Sequence, residues 1–592
     1  MFQRAFVVAI AVNAIACGPN NKNNGDGDAG GSVCTPGNRY CDPANDHQVI
    51  QCNDDGQGTT VVETCNNADA CLGGTCVDAC SAADGTPSSV GCHFFAVDLD
   101  NEAVKTQFGI TNDATAQQFS VVVANVNDYP VRVDVFENDA PYGQPLQEKM
   151  VSSSMISAND VKQIDLPQRE VDGTMGQTGG YAMDMNGTTG TFVSSRAYKI
   201  DSTGPVVAVQ FNPIVQQFSN DASLLLPRNG IGMHYTTLGW PTSNPCGAPP
   251  GDMSYMQSIP DHTFVTILGV QPDTHVTVIP AHPVKAAYQG SGVAIPQTPK
   301  GTPMQFSVGP YDVVNLESDQ PQVSIFDCLN HVDQDGDFTG TKITSDKPVM
   351  VFTGNERGNG TGGANPPPPP GWDNETCCTD HLEEQLLPTE AWGKKFVVSR
   401  SPVRSTGGYE EPDLYRVLAW TNGTQVTTSL PAPFDHFTLD AGQWKTLYAY
   451  GGFTVQADNG AIQVGQYLVS QGLTANGIGD PSFTIFPAID QFRQHYVFLV
   501  PTTFQDNYMV VSMPVGSHIE LDGSVEFPPT CTQRDIGEVD GKMYRQWTCR
   551  LEPGPHKITT DEAAQLIIYG YYNVGSYAFL GGSNVNIINP IL

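Results

Sequence analysis

Basic residues are scarce in this chain of 592 residues, in which 28 Lys and Arg stand against 62 Asp and Glu, a net charge of −34. A chain so anionic repels phosphate backbones, which excludes nucleic acid as a partner. Charge of either sign is sparse, at 15% of residues, while 60 Gly and 44 Pro punctuate the sequence. Long salt-bridged helices are excluded by that balance, and short strands joined by turns are favoured. Beyond the N-terminal segment, no stretch reaches the roughly 18 apolar residues that a membrane-spanning helix needs. Also missing are Gly-x-Ser-x-Gly, His-Glu-x-x-His and any phosphate-cradling loop, so an enzymatic reading has no anchor and no catalytic residue is assigned.

What is present begins with MFQRAFVVAIAVNAIAC, where Arg4 precedes an apolar run from Ala5 to Val12 and the small-residue stretch Ala14-Ile15-Ala16 ahead of Cys17. This is the pattern of a signal peptide over residues 1–16. It resembles a bacterial lipoprotein signal, which implies cleavage before Cys17 and lipidation of that cysteine. The expected location is then the outer membrane or cell surface, lipid-anchored, with plain secretion as the alternative. Residues 17–32 hold almost no large apolar side chain and read as a flexible tether.

Export lets the 15 cysteines oxidise, and fourteen remain if Cys17 carries lipid. Cys34, Cys41, Cys52, Cys65, Cys71, Cys76, Cys80 and Cys92 crowd into residues 33–92, too poor in apolar residues for a core, so disulfides must hold this module, in a connectivity that spacing leaves open. Cys531 and Cys549 flank two strand-like runs around Gly541 and are expected to pair. Adjacent Cys377 and Cys378 would close a strained ring, so one is expected to reach Cys246 and the other Cys328, in an order left open.

From Cys92 onward the chain reads as β to its end, in short runs separated by Asn, Gly, Asp and Pro. Four segments align: Phe119 to Glu137, Phe264 to Pro280, Tyr415 to Pro431 and Tyr508 to Gly523. Each reads as a strand, a polar turn and a second strand, a hairpin-like unit. Each is followed by a second signature, read as two more strands across a tight turn, at Tyr198 (YKIDSTGPVVAVQF), Thr341 (TKITSDKPVMVF), Phe453 (FTVQADNGAIQVGQY) and His556 (HKITTDEAAQLIIYGY). With Ile200, Ile343, Val455 and Ile558 taken as equivalent, the spacings are 143, 112 and 103 residues. That is room for a β-sandwich each and more than the roughly 40 to 50 residues of a propeller blade. The expected fold class is therefore all-β, as tandem β-sandwich-like modules over 93–260, 261–394 (with a Pro-rich loop), 395–494 and 495–592, with propeller-like closure as the alternative.

Three local patterns invite chemistry. Asp380-His381-Leu382-Glu383-Glu384 sets a histidine among carboxylates, as a general base or metal ligand would need. Its neighbours favour structure instead, a short helix or loop whose Leu382, Leu386 and Leu387 enter a core. Asp333, Asp335 and Asp337 alternate around Gly336, spacing that lets oxygens converge on Ca²⁺, the one cofactor the sequence suggests, although Asp-Gly is also a favoured turn. Asp98, Asp100 and Asn101 read as a solvated linker. GNGTGGANPPPPPG, residues 358–371, reads as a stiff loop, either a spacer or a site for a partner.

Three ordered runs resemble the IgGFc-binding protein N-terminal domain family: SRAYKIDSTGPVVAVQFNPIVQQFSNDASLLLP from Ser195, ITSDKPVMVFTGNE from Ile343, and CCTDHLEEQLLPTEAWGKKFVV from Cys377. The resemblance spans roughly residues 116 to 480. It implies a binding or adhesion protein with an extracellular protein or glycan as partner, and it brings no catalytic residues. The alternatives are a secreted hydrolase or carbohydrate-active enzyme, and a structural component of an envelope or matrix.

Overall fold

The computed structural model describes residues 34–42, 45–66, 68–101, 103–105, 111–171, 190–215, 219–242, 262–287, 291–319, 336–360, 366–367, 379–475, 477–525 and 528–591. Four disulfides, Cys34–Cys52, Cys41–Cys71, Cys65–Cys76 and Cys80–Cys92, hold the N-terminal module. They substitute for a core, because Val49 is packed there on little more than the cystines Cys65 and Cys71. Cys80 sits in the helix Ala79–Asp84, whose N-terminus is capped by the Asp78 carboxylate accepting from Ser81 N at 3.1 Å. Its bond to Cys92 fastens the module to Gly91–Ala96, the first strand of the β body.

That body repeats one topology four times, organised by a long strand. In the first unit this is Tyr198–Asn212. Its N-terminal half pairs with Val131–Asn138 and Gly91–Ala96, and its C-terminal half with Ser120–Asn125 and Asp221–Leu225. Lys342–Asn359 has the same four kinds of partner: Thr274–Ile279 and Gly232–Thr236, then Thr263–Gly269 and Thr379–Gln385. So does Gly554–Tyr572, with Ile519–Leu521 and Arg493–Val500, then Asp506–Pro514 and Gly575–Leu580. In the third unit the strand is interrupted around Gly460. Phe453–Ala457 pairs with Thr424–Thr428 and Lys395–Val398, and Ile462–Tyr467 with Asp413–Ala419 and Phe483–Phe486, which gives two separate four-stranded sheets. Each unit is thus a two-layered, sandwich-like curl. Ile200, Ile343, Val455 and Ile558 occupy one equivalent, fully buried position, opposite Val135, Val278, Thr428 and Leu521.

Two sequence expectations change. The strands of each hairpin-like segment do not pair with each other but lie against opposite halves of the long strand, so the segment arches from one layer to the other. The second signature is one continuous strand in three of the four units. Pro205 and Pro348 fall where pairing changes layer, and a residue with no N–H is least costly where one ladder ends and the next begins.

Inner and outer layers carry different patterns. Thr274–Ile279 and Thr424–Thr428 alternate between buried and open positions, whereas Ser120–Asn125, Thr263–Gly269 and Asp413–Ala419 are buried throughout. A strand buried on both faces needs cover on both. One face fills its own sandwich and the other packs on a neighbouring unit. One apolar core accordingly joins units one and two, another two and three, and the largest joins one, three and four. The strands that close the units, Asp221–Leu225, Thr379–Gln385, Phe483–Phe486 and Gly575–Leu580, contact one another in that order, and the fourth returns to the first.

Candidate functional site

The middle of this ring is polar. The Asp380 to Glu384 segment lies in the strand Thr379–Gln385, not in a helix or loop, and every one of those residues is at most 1% exposed. A Cβ on Gly354 would run into the Leu382 carbonyl, so the glycine of the Thr353-Gly354-Asn355-Glu356 run is what lets this strand lie against its neighbour. Leu382, Leu386 and Leu387 enter the core between the second and third units.

The polar side chains bind to other units. Asp221 Oδ1 accepts from Ser482 Oγ at 2.7 Å and from its neighbour Ala222 N at 3.0 Å, while Oδ2 accepts from Phe483 N at 3.0 Å and Glu383 N at 3.1 Å. Asp380 accepts from Asn220 N at 2.7 Å and Ser576 N at 3.3 Å. Gln210 Nε2 donates to Glu383 at 3.2 Å, and Ser223 Oγ to Glu384 at 3.2 Å. Burial pushes the carboxyls of Asp221, Asp380, Glu383 and Glu384 well above the usual carboxylate range. Burial raises Asp221 too, but each of its oxygens already accepts from two donors, which leaves a proton no place to sit, so the charge falls to Asp221 and raises Glu383 and Glu384 further. Burial also takes His381 down to about 3, so its ring is neutral, 3.5 Å from Glu383 Oε2 and stacked on Phe264. A general base must be reached by its substrate, and these groups are enclosed by strands on all sides. The arrangement fastens four units together.

The other residues singled out above fall as follows. Cys531 and Cys549 are bonded to each other. Cys17, Cys246, Cys328, Cys377, Cys378, Asp333 and Asp335 lie outside the described residues. Asp337 pairs with Arg416 at 2.7 Å and accepts from Thr339 N at 2.9 Å. Of the Pro-rich segment, Gly358 and Asn359 end the long strand, and most of the remainder lies outside the described residues. Asp98, Asp100 and Asn101 are not a solvated linker: all three are buried, Asp98 accepting from Arg169 N at 2.7 Å and Asp100 from Asn315 Nδ2 at 3.2 Å. Their carboxylates tie the first unit internally and to the second. Sequence reasoning missed Asp221, although it sits inside the quoted Ser195 to Pro227 run. The signal was an acid heading an otherwise buried strand.

Open clefts lie away from this centre. One of about 380 Å³ runs between the disulfide module and the first and fourth units, lined by His47, Asn127, Arg493, His495 and Lys557 among others. Another of about 510 Å³ is lined by Tyr142, Arg169 and Arg196 among others. No described helix is long and apolar enough to cross a membrane.

Four curled sandwiches on a buried polar hub, behind a disulfide-knit module, are the build of an extracellular or surface binding protein. Residues 221–570, more than half of the chain, match the family model described as IgGFc binding protein, and the chain belongs to that family. The match takes in most of the fourth unit, short of its closing strand, and omits most of the first, so it extends further toward the C-terminus than the three sequence runs did. No curated protein matches the chain.

Proposed function

We propose that the chain is an exported bacterial lipoprotein, held at the outer membrane through Cys17, that presents its β body as a binding or adhesion surface for an extracellular protein or glycan. The family match supports this reading most directly, because it is to a binding family and not to an enzyme family. The Fc part of immunoglobulin G is the first ligand to try, on the family's name alone. A rigid hub that buries its inner strands leaves the outer turns free to vary, which is how β scaffolds present binding loops. The units 93–260, 261–394, 395–494 and 495–592 are the proposed modular division, except that Gly232–Thr236 goes with the second unit, on whose long strand it pairs. The test is capture with the lipid-free chain from Ser32 to Leu592 against immunoglobulin Fc, arrayed glycans and intact envelopes. Saturable capture of one class supports the reading. Failure with all three, together with self-association on size exclusion, replaces it with a structural envelope component.

A further inference from the structure

A second buried polar cluster lies in the second unit, apart from the hub. His262 leads into the strand Thr263–Gly269, Glu317 ends Val313–Glu317, and Glu356 lies on the long strand Lys342–Asn359. Register brings them together, since Phe264 pairs with Glu317 and Thr263 with Asn355. One ligand atom from each lies within 4.8 Å of the others, at exposures of 5%, 0% and 0%.

The hydrogen bonds fix how the histidine is presented. Nδ1 is 2.8 Å from the Ser318 carbonyl oxygen, which can only accept, so Nδ1 carries the proton. Nε2 is 3.0 Å from Lys285 Nζ, an ammonium that can only donate, so Nε2 offers its lone pair. A ring whose Nδ1–H is tied to a backbone carbonyl while Nε2 faces carboxylates is the usual arrangement of a metal-binding imidazole. Glu356 Oε2 accepts from His262 N at 3.0 Å, which fixes that carboxylate beside the ring. Glu317 Oε2 is 4.0 Å from Nε2, and its other oxygen is buried with no hydrogen-bond partner among the described residues. Asp100 brings another carboxyl against Glu317. Carboxylates at this depth require a compensating cation. Among the described residues Lys285 supplies one, its Nζ 3.4 Å from Glu317 Oε2 and its side chain 22% exposed on a flexible stem.

We propose that His262, Glu317 and Glu356 form a divalent-cation site of the Zn²⁺ type, in which the Lys285 ammonium is an exchangeable stand-in for the metal. One imidazole with carboxylates suits zinc and its neighbours, whereas Ca²⁺ and Mg²⁺ take oxygen sets. Zinc ligands sit about 2.0–2.2 Å from the ion, hence about 3.4 Å apart in a tetrahedron. Nε2 and Glu317 Oε2, now 4.0 Å apart, would close by about 0.6 Å, and no ligand separation, each within 4.8 Å, by more than about 1.4 Å, while Lys285 swings to solvent. The ion would clip three strands of the second unit at the point where Asp100 of the first unit reaches it.

The test uses the full untagged chain, stripped with chelator and titrated with Co²⁺ and Zn²⁺ in a calorimeter and a spectrophotometer. One equivalent of Co²⁺ with visible d–d absorption is expected, competed away by Zn²⁺. Lys285→Met, which removes the stand-in, should bind at least tenfold more tightly. His262→Gln should lose the site. X-ray absorption of zinc-loaded wild type, expected to show one imidazole and otherwise oxygen ligands, decides the matter should His262→Gln not fold. Absence of a stoichiometric ion from both wild type and Lys285→Met overturns the proposal, as do retention of the ion in folded His262→Gln and a ligand shell of two or more imidazoles.

Discussion

The charge at the hub is open to a direct comparison of two isosteric changes. Asn at position 221 keeps the shape of Asp221 but turns an NH₂ toward two donors whichever way it lies: Ser482 Oγ and Ala222 N on one side, Phe483 N and Glu383 N on the other. A buried donor left without its acceptor costs about 1–3 kcal/mol, so Asp221→Asn should lose about 2–5 kcal/mol. Glu384→Gln differs. Burial already holds that carboxyl in its neutral form, and Gln keeps an oxygen for Ser223 Oγ, so its cost should be about 1 kcal/mol or less, the net worth of one neutral hydrogen bond. Both variants would be unfolded in denaturant near neutral pH, with circular dichroism and tryptophan fluorescence read together, since a chain of several units need not unfold in one step. If Asp221→Asn is as mild as Glu384→Gln, or Glu384→Gln as damaging as Asp221→Asn, the assignment of the charge to Asp221 is wrong.

The protonated carboxyls also set a pH dependence. Burial raises Asp380, Glu383 and Glu384, so the stability they contribute is present at acid pH and is lost as pH rises toward their folded values. Above pH ~7.5 His381 is neutral both folded and unfolded and drops out of the balance. Stability should therefore fall as pH rises above ~7.5, by about 1.4 kcal/mol per pH unit for each carboxyl that stays protonated in the folded chain, and Glu384→Gln should flatten the slope; an unchanged slope in that variant refutes the assignment. Replacing Cys531 and Cys549 together with Ser opens a loop of sequence separation 18 and should cost the fourth unit about 3 kcal/mol, measured as an earlier unfolding transition that reduction of the wild type reproduces. Cys17→Ser should move the protein from membrane pellets to soluble fractions, and continued pelleting would remove the lipid anchor.

Much of the β body was legible because its strands obey local rules. The buried and open alternation of Thr274–Ile279 and the unbroken run of Thr263–Gly269 already separate an outer from an inner strand. The hairpins misled because a polar turn looks the same whether its two strands pair or part. The deciding partner, the long strand, arrives more than sixty residues later in the first two units, as with Val133 and Ser202 or Val276 and Ser345, and well beyond the turn in the fourth, as with Leu521 and Ile558. At the hub the structural role and the burial of Leu382, Leu386 and Leu387 were legible, but a helix or loop was expected where a strand runs. Nothing in Asp380 to Glu384 reveals that Asn220, Ser223 and Gln210 come from about 160 to 175 residues away to receive its polar side chains. Nor does the sequence around Asp337 show that Arg416, its partner at 2.7 Å, belongs to another unit.

A hub of polar side chains is costlier to bury than an apolar one, and its return is order. Apolar closing strands would be nearly interchangeable, since each presents a similar surface to the next. The hydrogen bonds are not interchangeable. Asp221 reaches one N–H in the closing strand of the second unit and one in that of the third, and Asp380 of the second unit reaches N–H groups beside or within those of the first and fourth. Each carboxyl thereby joins three different units. All of these links form together only when the units sit in the sequence one, two, three, four, so a misplaced unit would leave buried donors and acceptors without partners. Specificity of assembly is in this way concentrated in a few residues at the centre, with bridges such as Asp337 to Arg416 and Glu410 to Arg534 adding to it farther out. Substitutions on the outer layer should therefore change what the body binds without changing how its units are arranged.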